Sequence, residues 1–300
     1  MFCPFCPDKK ESYILYHSSH KKDEKHIKDV KCMSEIHFKP TLYKCKKCNL
    51  IFSEYINLKT EESYTTVEDE RYIQQIPYKR KNFELLYNKI SPYLNKNQEV
   101  LEIGSYYGIL GSIIKSNVKR YTGLELSKHA AEYSKNNFNL NIANEHLDEF
   151  LNKENLFDVI IMCDVIEHLD NPFDIIKKIE KNLKKDGIFI FSTMNMDSLV
   201  PKVMRGKYFW IMPQHKFYFT NSSLRHFLGK NNMNIFKIKS DARLVSVEYL
   251  LFKLCVFAPK LNFIFKFLLK FNFIKKIPIK INLFDLNIYF SKKLEKFKIN

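Results

Sequence analysis

The sequence predicts an α/β fold, an open and mostly parallel sheet wound with helices on both faces, preceded by a small module closed by paired cysteines. Three observations carry this reading. Continuous apolar runs such as 157–164 and 188–193 alternate with segments of helical periodicity, as buried parallel strands and their crossover helices do. The strand 99–103 runs into Gly104-Ser105-Tyr106-Tyr107-Gly108, a strand end that turns on glycine before a helix. Two C-x2-C pairs, Cys3/Cys6 and Cys45/Cys48, lie within the first fifty residues.

The chain of 300 residues has room for roughly two domains at ~150 residues each, or for one large domain with an appendage. It is 45% hydrophobic and 15% aromatic, enough to build a core, and its 27% charged residues exclude wholesale disorder. No run of ~18 uncharged apolar residues is present, which argues against a spanning helix. The start, Met1-Phe2-Cys3-Pro4-Phe5-Cys6, lacks the basic and then apolar pattern of a signal peptide, so the expected compartment is the cytosol. The net charge of +16 resides in the last third, because residues 1–100 sum to +4, 101–200 to −4 and 201–300 to +16. Such a segment suits phosphate, whether of nucleic acid or of a membrane surface, although compositional drift toward Lys gives the same excess.

In a reducing compartment paired cysteines point to metal. Each C-x2-C pair closes a knuckle on one tetrahedral ion, so Cys3, Cys6, Cys45 and Cys48 supply four thiolates to a structural Zn2+. The charged run 21–26 reads as an exposed hairpin excursion between the pairs, and 49–52 as a strand leaving the second. Cys32, His17 and His20 stand as alternative ligands. Residues 1–58 thus read as a zinc-ribbon-like module. Residues 59–97 follow as a charged linker and a helix that starts near Pro77, carries Phe83, Leu86, Tyr87 and Ile90 at helical spacing, and ends at Pro92.

The expected sheet begins with strand 99–103. A second strand, 119–125, ends in Glu125, 21 positions after Gly104, where an acid accepts hydrogen bonds from both hydroxyls of a ribose. A helix over 129–137, a short strand near 140–144, the strand 157–164, a helix over 172–183, a glycine-terminated turn at 184–187 and the strand 188–193 complete the alternation. Ligand is then expected beyond the carboxyl ends of the strands.

These residues resemble a known family. The run 100–108, Glu125, the stretch 157–169 with Asp164-Val165-Ile166-Glu167-His168-Leu169, and 183–195 are similar to class I S-adenosylmethionine-dependent methyltransferases of the small-molecule and sugar branch. The segment Gln214-His215-Lys216-Phe217-Tyr218-Phe219-Thr220 resembles the same branch, and the cysteine knuckles resemble a subset found among sugar and natural-product enzymes. The likeness implies a Rossmann-like seven-stranded methyltransferase sheet over residues 98–300. It implies that Gly104 and Gly108 pass the methionine part of S-adenosylmethionine and that Glu102 fixes the loop or the cofactor ammonium. Glu125 would bind the ribose, His146 and Leu147 border the adenine, and Asp164 and Val165 flank the methyl. A dehydrogenase fingerprint would carry Gly where Tyr106 stands, which argues against a nicotinamide cofactor.

Methyl transfer needs an aligned nucleophile and, where required, a base. His168 and His215 are the candidate bases, each with the alternative of ordering its loop, and Asn195 is a candidate acceptor contact. The expected acceptor is a small molecule, a sugar or a lipid-linked glycan, methylated on oxygen or carbon. The alternatives are an RNA methyltransferase and a non-catalytic cofactor-binding scaffold. Residues 249–281 hold seven Lys and no acid, with Phe263, Phe267, Leu268 and Phe271 on or beside the opposite side of a helical wheel. They read as a basic amphipathic helical insertion before a last strand near 283–292, either packed on the sheet or in peripheral contact with the inner face of the membrane.

Overall fold

The computed structural model describes residues 3–6, 13–19, 31, 39–153, 155–247, 251, 263 and 278–294. The amino-terminal segment forms β1 (Tyr13–His17), β2 (Leu42–Cys45) and β3 (Ile51–Ser53), an antiparallel meander. Helices α1 (Glu70–Gln74) and α2 (Ile76–Ile90) follow, the second with Pro77 in its first turn, where a missing N–H costs nothing.

The main sheet then builds up in the alternation expected. Strand β4 (Glu99–Ile103) leads to α3 (Ile109–Ile114), β5 (Arg120–Leu124) to α4 (Lys128–Phe138), and β6 (Ile142–Ala143) to α5 (Leu147–Leu151). Strand β7 (Phe157–Cys163) is covered on both faces, with Val159, Ile160, Ile161 and Met162 all at 0% exposure, which explains the apolar run from Val159 on. Helix α6 (Pro172–Asn182) starts on an Asn171 cap that accepts from the Asp174 N–H and buries Ile175, Ile176 and Ile179. The segment 184–187 is not a glycine-terminated turn. Leu183 is already extended at φ −84°, ψ 139°, and β8 (Leu183–Met194) runs through it with a shift in register against β7. The Asn182 side chain closes the helix instead, donating to the carbonyls of Leu151 and Lys178.

After β8 come α7 (Leu199–Met204), β9 (Phe217–Tyr218), α8 (Asn221–Lys230), β10 (Met233–Ser240), β11 (Arg243–Ser246), β12 (Pro278–Ile281) and β13 (Leu286–Lys293). The seven-stranded sheet has the order β10-β13-β8-β7-β4-β5-β6. β4, β5, β6, β7 and β8 are parallel, and β13 returns antiparallel between β8 and β10. The order reverses at β4, so the crevice at its carboxyl end lies beside both β5 and β7.

The expected insertion at 249–281 lies outside the described residues except for Leu251, Phe263 and its end. That end is a strand: β12 pairs antiparallel with β11, Pro278 opposite Ser246, at a strand's first residue where proline's lack of an N–H is tolerated. Among the described residues no helix is long and apolar enough to cross a membrane. The amino-terminal meander is completed by β9, which adds to β3 with Ile51 opposite Tyr218 and Phe52 opposite Phe217.

Candidate functional site

The loop after β4 turns on Gly104 (φ +71°) and Gly108 (φ +72°), with Tyr106 between them also left-handed at φ +46°. A Cβ on Gly104 would lie 2.6 Å from Val165 Cγ2, and one on Gly108 2.7 Å from both Leu140 Cδ1 and Ser134 Oγ. Only glycine fits against these side chains at such a backbone conformation. Tyr106 carries backbone strain that its surroundings hold in place. Its N–H donates to Glu125 Oε2 at 2.6 Å, its carbonyl accepts from Ser134, and its hydroxyl donates to Asp69 at 3.1 Å.

Glu125, at the end of β5, also accepts from the Ser127 N–H at 2.7 Å. Burial pushes its carboxyl up to about 7 against those two N–H groups. Each oxygen retains a further lone pair for a hydroxyl. Glu102 is buried beneath the loop, accepts the Tyr121 hydroxyl at 2.5 Å and is pushed up to about 8 by desolvation. Its placement suits holding the loop rather than meeting a ligand. His146 stands at the residue before α5 without a side-chain cap bond, and Leu147 opens that helix. Asn144, before them, donates to the carbonyls of Glu125 and Leu126, so the three sit beside the β5 end.

Beyond β7, Asp164 is left-handed at φ +54° and accepts from the Ser192 hydroxyl at 2.6 Å and from Arg243 at 2.9 Å. Burial works to raise its pKa, and Arg243, Ser192 and His168 together bring it below the usual carboxylate value. Val165 fills the space facing Gly104.

His168 and His215 meet edge to face with ring centroids 4.6 Å apart. His168 Nδ1 lies 3.1 Å from the Gln214 carbonyl, and His215 Nδ1 2.9 Å from that of Trp210. A carbonyl only accepts, so each Nδ1 carries the proton and each Nε2 keeps its lone pair. The Tyr64 hydroxyl stands 3.2 Å from the same nitrogen of His168. Burial pushes His168 down to about 4 and His215 well below its usual value, so both are neutral near pH 7. Glu167, buried and bonded by the Thr193 hydroxyl, is pushed up to about 8 by burial and by Asp164. One ligand atom each from Glu167, His168 and His215 falls within 4.8 Å of the others, a spacing a metal ion can bridge.

The second cluster is the four cysteines. Cys3 Sγ lies 3.6 Å from Cys48 Sγ, and Cys6 Sγ 3.8 Å from Cys45 Sγ, all four within 4.8 Å. A tetrahedron with Zn–S bonds of ~2.3 Å requires S–S separations of about 3.8 Å, so the donors fit zinc. The N–H groups of Lys47 and Cys48 point at Cys45 Sγ and lower its pKa against burial, while burial and Cys48 push Cys6 up to about 12. Of the alternative ligands, Cys32 and His20 lie outside the described residues. His17 lies instead beside Gly206.

Sequence reasoning missed the cover over this site. Thr60 donates to Asp170, Ser127 donates to the Val67 carbonyl, and Asp69 and Tyr64 reach Tyr106 and His168. Residues 60–69 are polar and without periodicity, so no local signal assigns them a place. Lys216 is 1% exposed, paired with Asp170 and bonded to the Leu58 carbonyl at 2.5 Å. Arg243 was missed as well, since nothing local ties it to Asp164, 79 positions away. Asn195 braces the turn 195–198, its carboxamide oxygen accepting from the Asp197 N–H.

The profile of a family described as a methyltransferase domain matches residues 72–238. Among curated relatives, the ubiquinone biosynthesis O-methyltransferase of Rickettsia typhi is 29% identical over 126 residues, 40% of this chain and 49% of the relative. That of Actinobacillus pleuropneumoniae is 28% identical over 111 residues, 33% of this chain and 46% of the relative. The chain thus spans about half the length of these relatives. A solved SAM-dependent methyltransferase from Archaeoglobus fulgidus superimposes at a TM-score of 0.52 with 17% identity, over 75% of this chain and 100% of that one, a likeness of fold.

Proposed function

The chain belongs to the methyltransferase-domain family, and from that premise we propose that it moves a methyl group from S-adenosylmethionine to a small-molecule acceptor. The observation that carries the proposal is the meeting of the Gly104–Gly108 loop, Asp164-Val165 and the His168–His215 imidazole pair near the carboxyl ends of β4 and β7. When bound, the cofactor supplies an electrophilic methyl on a sulfonium. Glu125 holds the ribose, the loop admits the methionine part, and His146 and Leu147 border the adenine. His168 accepts the acceptor's proton at Nε2. Gln214 fixes its tautomer, and the nearby Asp164 carboxylate favours the imidazolium that forms, against the burial that pushes His168 down to about 4. The names of the relatives favour oxygen over carbon as the atom methylated, and a sugar or lipid-linked glycan remains our reading of the acceptor.

A second reading rests on the donors of Glu167, His168 and His215: a divalent cation held there would lower the pKa of an acceptor hydroxyl. A structural zinc on Cys3, Cys6, Cys45 and Cys48 belongs to the same proposal. So do the division into a 1–58 module, a 59–97 lead-in and a 98–300 catalytic domain, and contact of 249–281 with the inner membrane face.

The test is incubation with methyl-labelled cofactor and fractionated cell extract. Label should enter a low-mass, glycan or lipid fraction and be lost with His168→Gln. Loss of label on chelation, restored by Mg2+ or Mn2+, selects the cation reading. Label in RNA would move the assignment to the nucleic-acid alternative. No label in any fraction would leave only the non-catalytic scaffold.

A further inference from the structure

We propose that Phe5, enclosed by the first cysteine pair, is a positioning residue for the turn that carries His215. The knuckle thereby sets the geometry of the imidazole pair through β9. The inference rests on the reading of His168 and His215 given above, and its test does not depend on turnover.

The residues form a continuous path. Phe5 is 3% exposed, and its ring stacks on Phe227 at 4.4 Å, Phe217 at 5.6 Å and Phe219 at 6.2 Å. The Lys230 ammonium donates to the Phe5 carbonyl at 2.7 Å, which ties the knuckle to the end of α8. Phe217 and Phe219 are two apart in an extended segment, so they share one face, and the residue between them points the other way. That residue, Tyr218, is fully buried. Its hydroxyl donates to the Met212 carbonyl at 3.0 Å and lies 3.2 Å from the Met212 N–H. Its ring meets that of His215 at 5.9 Å. The His215 N–H in turn donates to the Met212 carbonyl. One face of β9 is thus held by Phe5 and the other holds the histidine turn.

The backbone runs along the same path. The Ser53 N–H donates to the Lys216 carbonyl at 2.9 Å, and the N–H groups of Lys216 and Phe217 donate to the carbonyl of Glu167, next to His168. Gln214 and Trp210, whose carbonyls fix the two tautomers, lie within the same turn. Free imidazole has no such bias, so the Nδ1–H form of both rings depends on this turn staying in place. A β9 released from Phe5 keeps its sequence but loses the stacking that aims Tyr218.

Trp210 is the chain's single tryptophan, so its emission reports on the turn. The experiment compares wild type with Phe5→Ala, Phe5→Leu and Tyr218→Phe. It reads Trp210 emission and acrylamide quenching, the imidazole tautomers by long-range 1H–15N spectra, and S-adenosylmethionine affinity by calorimetry. The expected result for Phe5→Ala and Tyr218→Phe is at least twofold stronger quenching and mixed tautomers at both histidines, with cofactor affinity within about threefold of wild type. Phe5→Leu, which retains an apolar plug, should recover much of the wild-type signature. If Phe5→Ala fails to fold, Tyr218→Phe, which removes one hydroxyl, carries the test. Wild-type quenching and tautomers in Tyr218→Phe, or in a folded Phe5→Ala, would overturn the proposal. If the acceptor experiment fails while these signatures shift, the functional reading falls and the positioning role stands.

Discussion

Gly104→Ala is the substitution whose cost follows most directly from the geometry. Gly104 sits at φ +71°, where an L-residue costs about 1–2 kcal/mol. The added methyl would lie 2.6 Å from Val165 Cγ2. That is about 1 Å inside an ordinary carbon contact of ~3.5–4.0 Å, and overpacking of this kind costs about 1–3 kcal/mol. Val165 is β-branched and has few rotamers into which to retreat. The total is about 2–5 kcal/mol, a large share of the roughly 5–15 kcal/mol that stabilises a domain. Val165→Ala should by itself cost about 1–2 kcal/mol through lost burial. Combined, the two changes should cost about 1–3 kcal/mol less than their sum, because the overlap is gone and only the backbone strain remains. Urea unfolding of wild type, the two single variants and the double variant measures this coupling. Calorimetry should show cofactor affinity at least tenfold weaker in both proteins that carry the Gly104→Ala change, since the strain at φ +71° displaces the loop in both. Additivity within ~0.5 kcal/mol, or a Gly104→Ala protein as stable as wild type, would refute the close packing of Val165 on this glycine.

Glu125→Ala should weaken S-adenosylmethionine binding by about 0.5–3 kcal/mol, the range spanned by hydrogen bonds to neutral and charged groups, and unchanged affinity in a calorimetric titration would contradict the ribose role. Purified protein should contain one zinc per chain, and Cys45→Ser should lose it and lower the melting temperature; elemental analysis decides. Glu102 is neutral in the fold up to about 8 against 4.5 for the ordinary group, so the folded state holds its proton more tightly. Its contribution is present in full below pH 4.5 and is lost as pH rises through about 8. Glu102→Gln still accepts from Tyr121 and has no proton to lose, so its melting temperature should fall less than wild type's between about pH 6.5 and 8. An identical fall in both proteins would remove Glu102 as the source. His168→Gln should slow labelled methyl transfer about 10²–10⁴-fold with cofactor affinity unchanged; a rate within about threefold of wild type would exclude it as the base.

What the sequence determined by itself is the set of local patterns that burial imposes. The apolar run of β7, the Glu102–Gly108 turn, Glu125 at the end of its strand and the paired cysteines each lie within a few residues and obey a period or a fixed spacing, so they were legible. The last strand, β13, was legible as well, because its alternating pattern is that of a strand. Tertiary structure decided the rest. His168 meets Gln214, Thr60 meets Asp170, Arg243 meets Asp164 and Phe5 meets Phe227 across 46 to 222 positions. Those contacts depend on strand order and register, which bring the ends of β7, β8 and β9 and the cover of 60–69 to one edge. A local pattern says which face of an element is buried, but only the packing of all the elements fixes what lies opposite that face.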